Sequence, residues 1–314
     1  MRKFNVKGKA VRRMMGMPRE EDERAAEAAG AAPAAASAES GMRFVWRTDV
    51  GRVRKNNQDA VIIGTRMAGV ADGMGGHNAG EVASGGLRDG LLRETEGREP
   101  DAEALTEAVE KVNLELFRRQ ETDDALTGMG TTLTVLWAGE EEILLAQVGD
   151  SRAYLIRGGE MRQVTEDHSM VADMVRRGVL TEEQARCHPM RNYITRAVGT
   201  DETVDVDIYT EKRRAGDRWL ICSDGLYGLM SGDALSELAR AADPEEAADR
   251  LLQMALDNGG KDNISLVLAD DLRGAPETAE EAADGTDAGK ARETDEADAP
   301  DEAGKEPVQE GTEG

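Results

Sequence analysis

Apolar positions along this chain fall into short runs broken by glycine and asparagine, and two long stretches switch to helical spacing. Phe44–Val50, Ala60–Arg66 and Ala68–Ala71 read as strands. Glu81–Glu94 and Asp101–Gln120 read as helices, with Leu87 and Leu91 on one face of the first and Ala108, Val112 and Leu116 on one face of the second. Strands return at Thr131–Ala138, Glu142–Val148, Ala153–Arg157 and Met161–Val164, and Gly158-Gly159 closes the last two into a hairpin. Short helices at Met170–Arg177 and Thr181–Arg186 lead to strands at Val204–Glu211 and Arg218–Cys222. Helices at Ser231–Ala241 and Pro244–Leu256 and a strand at Ile264–Ala269 complete the series. Strands and helix pairs in separate blocks predict an α+β fold of antiparallel sheets with helices outside, rather than a wound βαβ sheet.

Charge locates the folded part. Of the 314 residues, 274–314 hold 14 acidic and 3 basic residues, with Val308 their only larger aliphatic, too little apolar surface to offset the entropy of ordering. Residues 1–41 begin with basic residues alone and continue into the low-complexity run Ala28–Ala36. The expectation is a disordered leader (1–41), one domain (42–273) and a disordered acidic tail (274–314). The chain carries −24 and the central domain alone −15, which excludes a nucleic-acid binder. No run of 18 apolar residues offers a membrane span, and two cysteines cannot make a disulfide scaffold, so a cytoplasmic address is expected. Nothing demands more than a monomer.

Absent motifs narrow the chemistry. There is no G-x-x-x-x-G-K-[ST] loop and no kinase H-R-D loop. A thiol phosphatase needs an arginine six residues after its cysteine, but Cys187 is followed there by Tyr193 and Cys222 by Gly228. His77, His168 and His188 are too dispersed for a zinc cage. What remains is aspartate at turns. Asp72, Asp150 and Asp224 each follow an apolar run, Asp262 precedes one, and Asp59 ends a polar segment that also carries Arg54. Each alone is an ordinary turn former. Gathered at one sheet end they would repel, and a hard divalent cation relieves that conflict, with all-oxygen ligands selecting Mg²⁺ or Mn²⁺ over zinc. Two such ions beside an arginine that can hold phosphate bidentately make the equipment for phosphate ester hydrolysis.

The stretches TDVGRVRKNNQDA, VADGMGGHNAGEVAS, GMGTTLTVL, VGDSRAYLIR, TEDHSMV, HPMRNYITRAVG, LICSDGLYG and KDNISLVLAD occur in order across residues 48–270. Together they resemble the metal-dependent PPM (protein phosphatase 2C) family, in its bacterial serine/threonine phosphatase branch. The resemblance implies a four-layer αββα sandwich, two antiparallel sheets flanked by helix pairs. It implies that Asp72 bridges two Mn²⁺ or Mg²⁺ ions and that Gly73 offers a backbone carbonyl to the first. Asp224 and Asp262 would be ligands of the second, and Asp150 would share a weaker third site with Asp224, where Asn192 could add a backbone oxygen. Asp59 would hold water from behind, Arg54 would grip phosphate, Asn263 would position Asp262, and Met170–Met190 would form a variable flap. Met74 stands where eukaryotic relatives carry a histidine that acts as acid, and Gln58 replaces a commoner glutamate. His77 reads as a capping or packing residue, His168 and His188 as structural. The implied activity is hydrolysis of phosphoserine and phosphothreonine in proteins, opposing a Ser/Thr kinase. A phosphatase dedicated to one regulator, a small-molecule phosphatase and a non-catalytic fold that holds a phosphoprotein or kinase remain as alternatives.

Overall fold

Strand sequences such as LTVLWA, RWLIC and ISLVLA are largely apolar and buried on both sides because both faces of each sheet are covered. The computed structural model describes residues 40–76 and 79–273. The expected leader other than Ser40 and Gly41, the acidic tail and His77 lie outside the described residues. One sheet holds β1 (Met42–Asp49), β7 (Arg152–Arg157), β8 (Glu160–Gln163), β10 (Arg218–Cys222) and β11 (Ile264–Asp271), ordered β1-β11-β10-β7-β8. The other is ordered β2-β3-β5-β6-β9, from β2 (Asp59–Ile63), β3 (Met67–Met74), β5 (Leu133–Ala138), β6 (Glu142–Val148) and β9 (Asp207–Lys212). A two-residue strand, β4 (Gly130–Thr131), pairs with the end of β3. All these pairings are antiparallel.

Side-chain alternation along single strands sorts residues into three cores. Along β11, Leu266 and Leu268 face a helix layer while Val267 and Ala269 face the other sheet. Trp219 and Ile221 of β10 join Phe44, Val70, Leu136 and Leu155 between the sheets. Helices α1 (Ala79–Thr95) and α2 (Ala102–Thr122) cover the second sheet through Leu87, Leu91, Val112 and Leu116. Asp101 caps α2 by accepting the Ala104 N–H at 2.9 Å. Helices α6 (Gly232–Ala239) and α7 (Pro244–Asp257) cover the first sheet through Leu235, Leu238 and Leu251. The layers run α-β-β-α, as the family resemblance implied. The pair α3 (Met170–Arg176) and α4 (Glu182–Arg186) lies in the segment expected to form a flap, Met170–Met190, and the Met170 N–H donates to Tyr193 O at 2.9 Å just beyond it.

Most expected elements recur, and the hairpin at Gly158-Gly159 forms with both glycines at positive φ. Four details differ. The strand expected from Val204 begins at Asp207. The strand expected from Thr131 is interrupted at Thr132, where the Asp72 N–H donates to the Thr132 side-chain Oγ1 at 2.9 Å while the Thr132 N–H donates to Asp72 O. Asp72 does not end its strand, because β3 continues through Met74 by pairing with β4. Asp224 opens a one-turn helix, α5 (Asp224–Tyr227), instead of a simple turn.

Candidate active site

Both sheets deliver carboxylates to the same end of the sandwich. Asp59 starts β2 and Asp72 lies opposite it in β3. Asp150 follows β6 where the chain crosses to the other sheet, Asp224 follows β10, and Asp262 precedes β11. Asp150 is buried and the other four are half-buried. Burial drives the Asp72 carboxyl well above the usual range, and the charges of Asp59, Asp224, Asp150 and Asp262 push it further. Asp59 is raised by burial, and the Ser265 and Ser223 hydroxyls only partly counter this. Asp150 is raised by burial and by Asp224. Asp224 is raised by burial and by Asp262, with Arg54, Arg152 and Arg191 opposing. The structure therefore brings together all five aspartates named from the sequence.

Backbone and hydroxyl contacts set their positions. The Asp72 N–H donates to Thr132 Oγ1 at 2.9 Å, and Thr132 Oγ1 lies 2.8 Å from Ser151 Oγ, beside Asp150. Ser223 Oγ donates to Asp59 Oδ2 at 2.9 Å, while Asp59 Oδ1 is buried without a hydrogen-bond partner. Gly73 must be glycine, since a Cβ there would overlap the carbonyl oxygens of Gly80 and Gln58. Met74 Cε packs against the backbone of Gly130, at 2.7 Å from where a Cβ would stand. Sequence reasoning missed Thr132, Ser151 and Ser223. Ser223, between an apolar run and Asp-Gly, carried a faint local signal; the other two carried none.

Arg54 lies in the loop between β1 and β2, half exposed, and donates to Asp262 Oδ2 at 2.7 Å. Among the described residues no three His, Cys, Asp or Glu side chains already converge on one point as a metal cage. Asp262 is turned instead to Arg54 and to the Asn263 N–H at 2.8 Å. The donor set nevertheless fits hard divalent cations. It is all oxygen, its buried charges oppose one another, and one buried carboxylate oxygen is unpartnered. From Asp150, Asp224 and Asp262 a groove of about 630 Å³ runs beneath the flap, where Asn192, Arg186 and Arg191 line it with Tyr227 and Met230. Arg152 stacks over the Tyr227 ring at 3.8 Å, and the Tyr227 hydroxyl donates to Asp150 O at 3.0 Å.

Comparison with known proteins agrees with this geometry. The sequence profile described as Protein phosphatase 2C matches residues 52–269. The chain belongs to the protein phosphatase 2C family. The serine/threonine protein phosphatase PstP of Mycobacterium tuberculosis is 41% identical over 232 residues, which are 73% of this chain and 45% of PstP. This chain thus spans less than half the length of that relative. The serine/threonine phosphatase stp of Listeria innocua is 36% identical over 247 residues, covering 73% of this chain and 96% of its own. A crystal structure of PstP superposes with a TM-score of 0.70 at 40% identity, covering 73% of this chain and 98% of that one. Another, of the PstP catalytic domain with two manganese ions, gives 0.68 at 39% identity, covering 73% and 97%.

Proposed function

We propose that this chain hydrolyses phosphoserine and phosphothreonine in proteins with Mn²⁺ or Mg²⁺ as cofactor. The observation that carries this reading is the set of five mutually repelling aspartates at one end of the sandwich, with Arg54 among them. Asp72, the Gly73 carbonyl, Asp224 and Asp262 are the groups that would hold two ions, and Asp150 with Asp224 a third. Such ions, when bound, supply Lewis-acid activation of water and neutralise the charge that develops on the phosphoryl group.

The chain's own residues orient the reaction. Arg54 presents its guanidinium to the phosphoryl oxygens. Asp59 Oδ1, already buried and uncommitted, would accept a hydrogen bond from the attacking water and hold it in line. Cys222 is buried with its thiol pushed up to about 12 by desolvation, so it offers no thiolate as a nucleophile. The groove beneath the flap admits a peptide.

Partners follow from this reading: phosphorylated proteins as substrates, a Ser/Thr kinase as the opposing enzyme, and a monomer as the working unit. A cytoplasmic address is supported by two free cysteines, one of them exposed. Among the described residues no helix is long and apolar enough to cross a membrane. The test is hydrolysis of p-nitrophenyl phosphate and a phosphothreonine peptide, with Mn²⁺ and with EDTA, beside Asp224→Ala. Turnover of both substrates that needs metal and Asp224 is expected. Tight Mn²⁺ binding without turnover would replace this reading with that of a non-catalytic phosphoprotein-binding fold.

A further inference from the structure

The loop that carries Arg54 is laid against the segment leading into β11, and one side chain ties it down at three places. Asn263 is 5% exposed. Its Nδ2 donates to Val50 O at 3.0 Å and to Asn56 O at 2.9 Å, and its Oδ1 accepts the Gln58 N–H at 2.9 Å. Those partners are the entry, the far side and the exit of the loop, with Arg54 between them. Both donors and the acceptor of the amide are used, so the site reads amide chemistry: aspartate lacks the donors and alanine lacks everything. The loop is further fixed by the Arg52 N–H donating to Gly260 O at 2.7 Å and the Gly51 N–H to Asp49 Oδ1 at 2.7 Å.

The expected role of Asn263, positioning Asp262, falls to its backbone. The Asn263 N–H reaches Asp262 Oδ1 at 2.8 Å, a bond that any residue except proline supplies. The side chain serves the other partner of the Arg54–Asp262 pair. A long, half-exposed arginine has many rotamers to lose, and a wandering backbone beneath it would add to the freedom lost on gripping phosphate. We propose that Asn263 is a positioning residue for Arg54, setting phosphate affinity rather than metal affinity. The proposal rests on Arg54 being the phosphate-binding residue.

The test measures two affinities separately in the full chain: Mn²⁺ binding without phosphate, and binding of inorganic phosphate to the Mn²⁺-loaded protein. The variants are Asn263→Asp, isosteric but without donors, Asn263→Ala, which adds no charge, Arg54→Ala, and each Asn263 change combined with Arg54→Ala. Either Asn263 change is expected to weaken phosphate about tenfold, raise KM for p-nitrophenyl phosphate in step, and leave Mn²⁺ affinity within about twofold. In the combined variants phosphate binding should be no weaker than in Arg54→Ala alone. Mn²⁺ affinity falling in parallel, or a fully additive combination, overturns the proposal and returns Asn263 to Asp262 or to general structure. If Arg54→Ala weakens phosphate and neither Asn263 change does, the proposal alone fails. If Arg54→Ala leaves phosphate binding unchanged, the assignment of Arg54 fails and the proposal falls with it. Should Asn263→Ala not fold, Asn263→Ser, small and uncharged, decides the same comparison.

Discussion

Asp59 and Asp72 stand directly opposite each other in the β2–β3 ladder, two like charges on facing positions of one sheet. Facing like charges destabilise an antiparallel pair, and here burial compounds the cost. The strands meet in this register although it sets the two carboxylates against each other, so the conflict is built into the fold.

Metal removal should therefore reverse the ordinary pH response of an acidic protein. Asp59, Asp150 and Asp224 are raised by burial to about 7, 8 and 6. A carboxyl whose folded pKa is raised contributes stability below its unfolded pKa and loses it as pH rises through the folded value. The Tm of the metal-stripped chain should fall from about pH 5 to about pH 8, and saturating Mn²⁺ should abolish that slope. Mn²⁺ affinity should rise over the same interval, because ions displace protons. A metal-stripped Tm that is flat or climbs there would contradict this account of the site.

Asp59→Asn should separate function from stability. Removing one charge relieves Asp72, so the metal-stripped protein becomes more stable, while Mn²⁺ affinity drops by about 10–100-fold. Titration of Mn²⁺ into both proteins, with denaturant melts alongside, reads the two effects. Unchanged Mn²⁺ affinity would mean that the uncommitted Oδ1 has no part in holding metal or its water.

At Gly73 the prediction is steric. An added methyl meets the carbonyl oxygens of Gly80 and Gln58, which belong to α1 and to the residue before β2, so β3 and α1 must part. Gly73→Ala should cost about 3 kcal/mol in denaturant unfolding of the metal-free protein, a loss that Mn²⁺ cannot fully restore. Wild-type stability in that variant would show the junction to be softer than described.

His168 gives the opposite pH signature from the acid cluster. Its Nδ1 accepts the Gly149 N–H at 3.0 Å, and its Nε2 lies 3.0 Å from Asp207 Oδ2. Burial lowers its pKa from 6.5, so above 6.5 the ring is neutral folded or unfolded. Below 6.5 the unfolded chain takes up the proton first, and stability is lost as pH falls. In the Mn²⁺-loaded protein, His168→Gln should flatten the fall in Tm between pH 6.5 and 5.5. A variant with the wild-type slope would assign that acid sensitivity elsewhere.

That antiparallel sheets carry helices outside was legible in residue spacing, whereas the four-layer order came with the resemblance carried by the ordered motifs. The aspartates were legible from their places beside apolar runs together with the ordered motifs. What escaped was long-range. Thr132 interrupts a strand where Asp72, 60 positions away, takes its N–H and offers one to its hydroxyl. Ser223 precedes the one-turn helix at Asp224 without capping it, because its hydroxyl goes to Asp59, 164 residues earlier. His168 reads as structural from the sequence, which does not show its partners, Gly149 and Asp207, 19 and 39 positions away. No window along the chain contains both members of such pairs.

The pairing of β1 with β11, Met42 opposite Asp271, has a consequence for biosynthesis. The first strand of the domain to leave the ribosome finds its neighbour only when the last has emerged, and Asp262 and Asn263 arrive with that same segment. Until then β1 is an open edge with an apolar face, the kind of surface that recruits chaperones or other nascent chains. An incomplete domain would lack both an Asp262 carboxylate and the clamp on the Arg54 loop. Growing chains should therefore be silent toward phosphoproteins, and competence should switch on in one step as β11 docks.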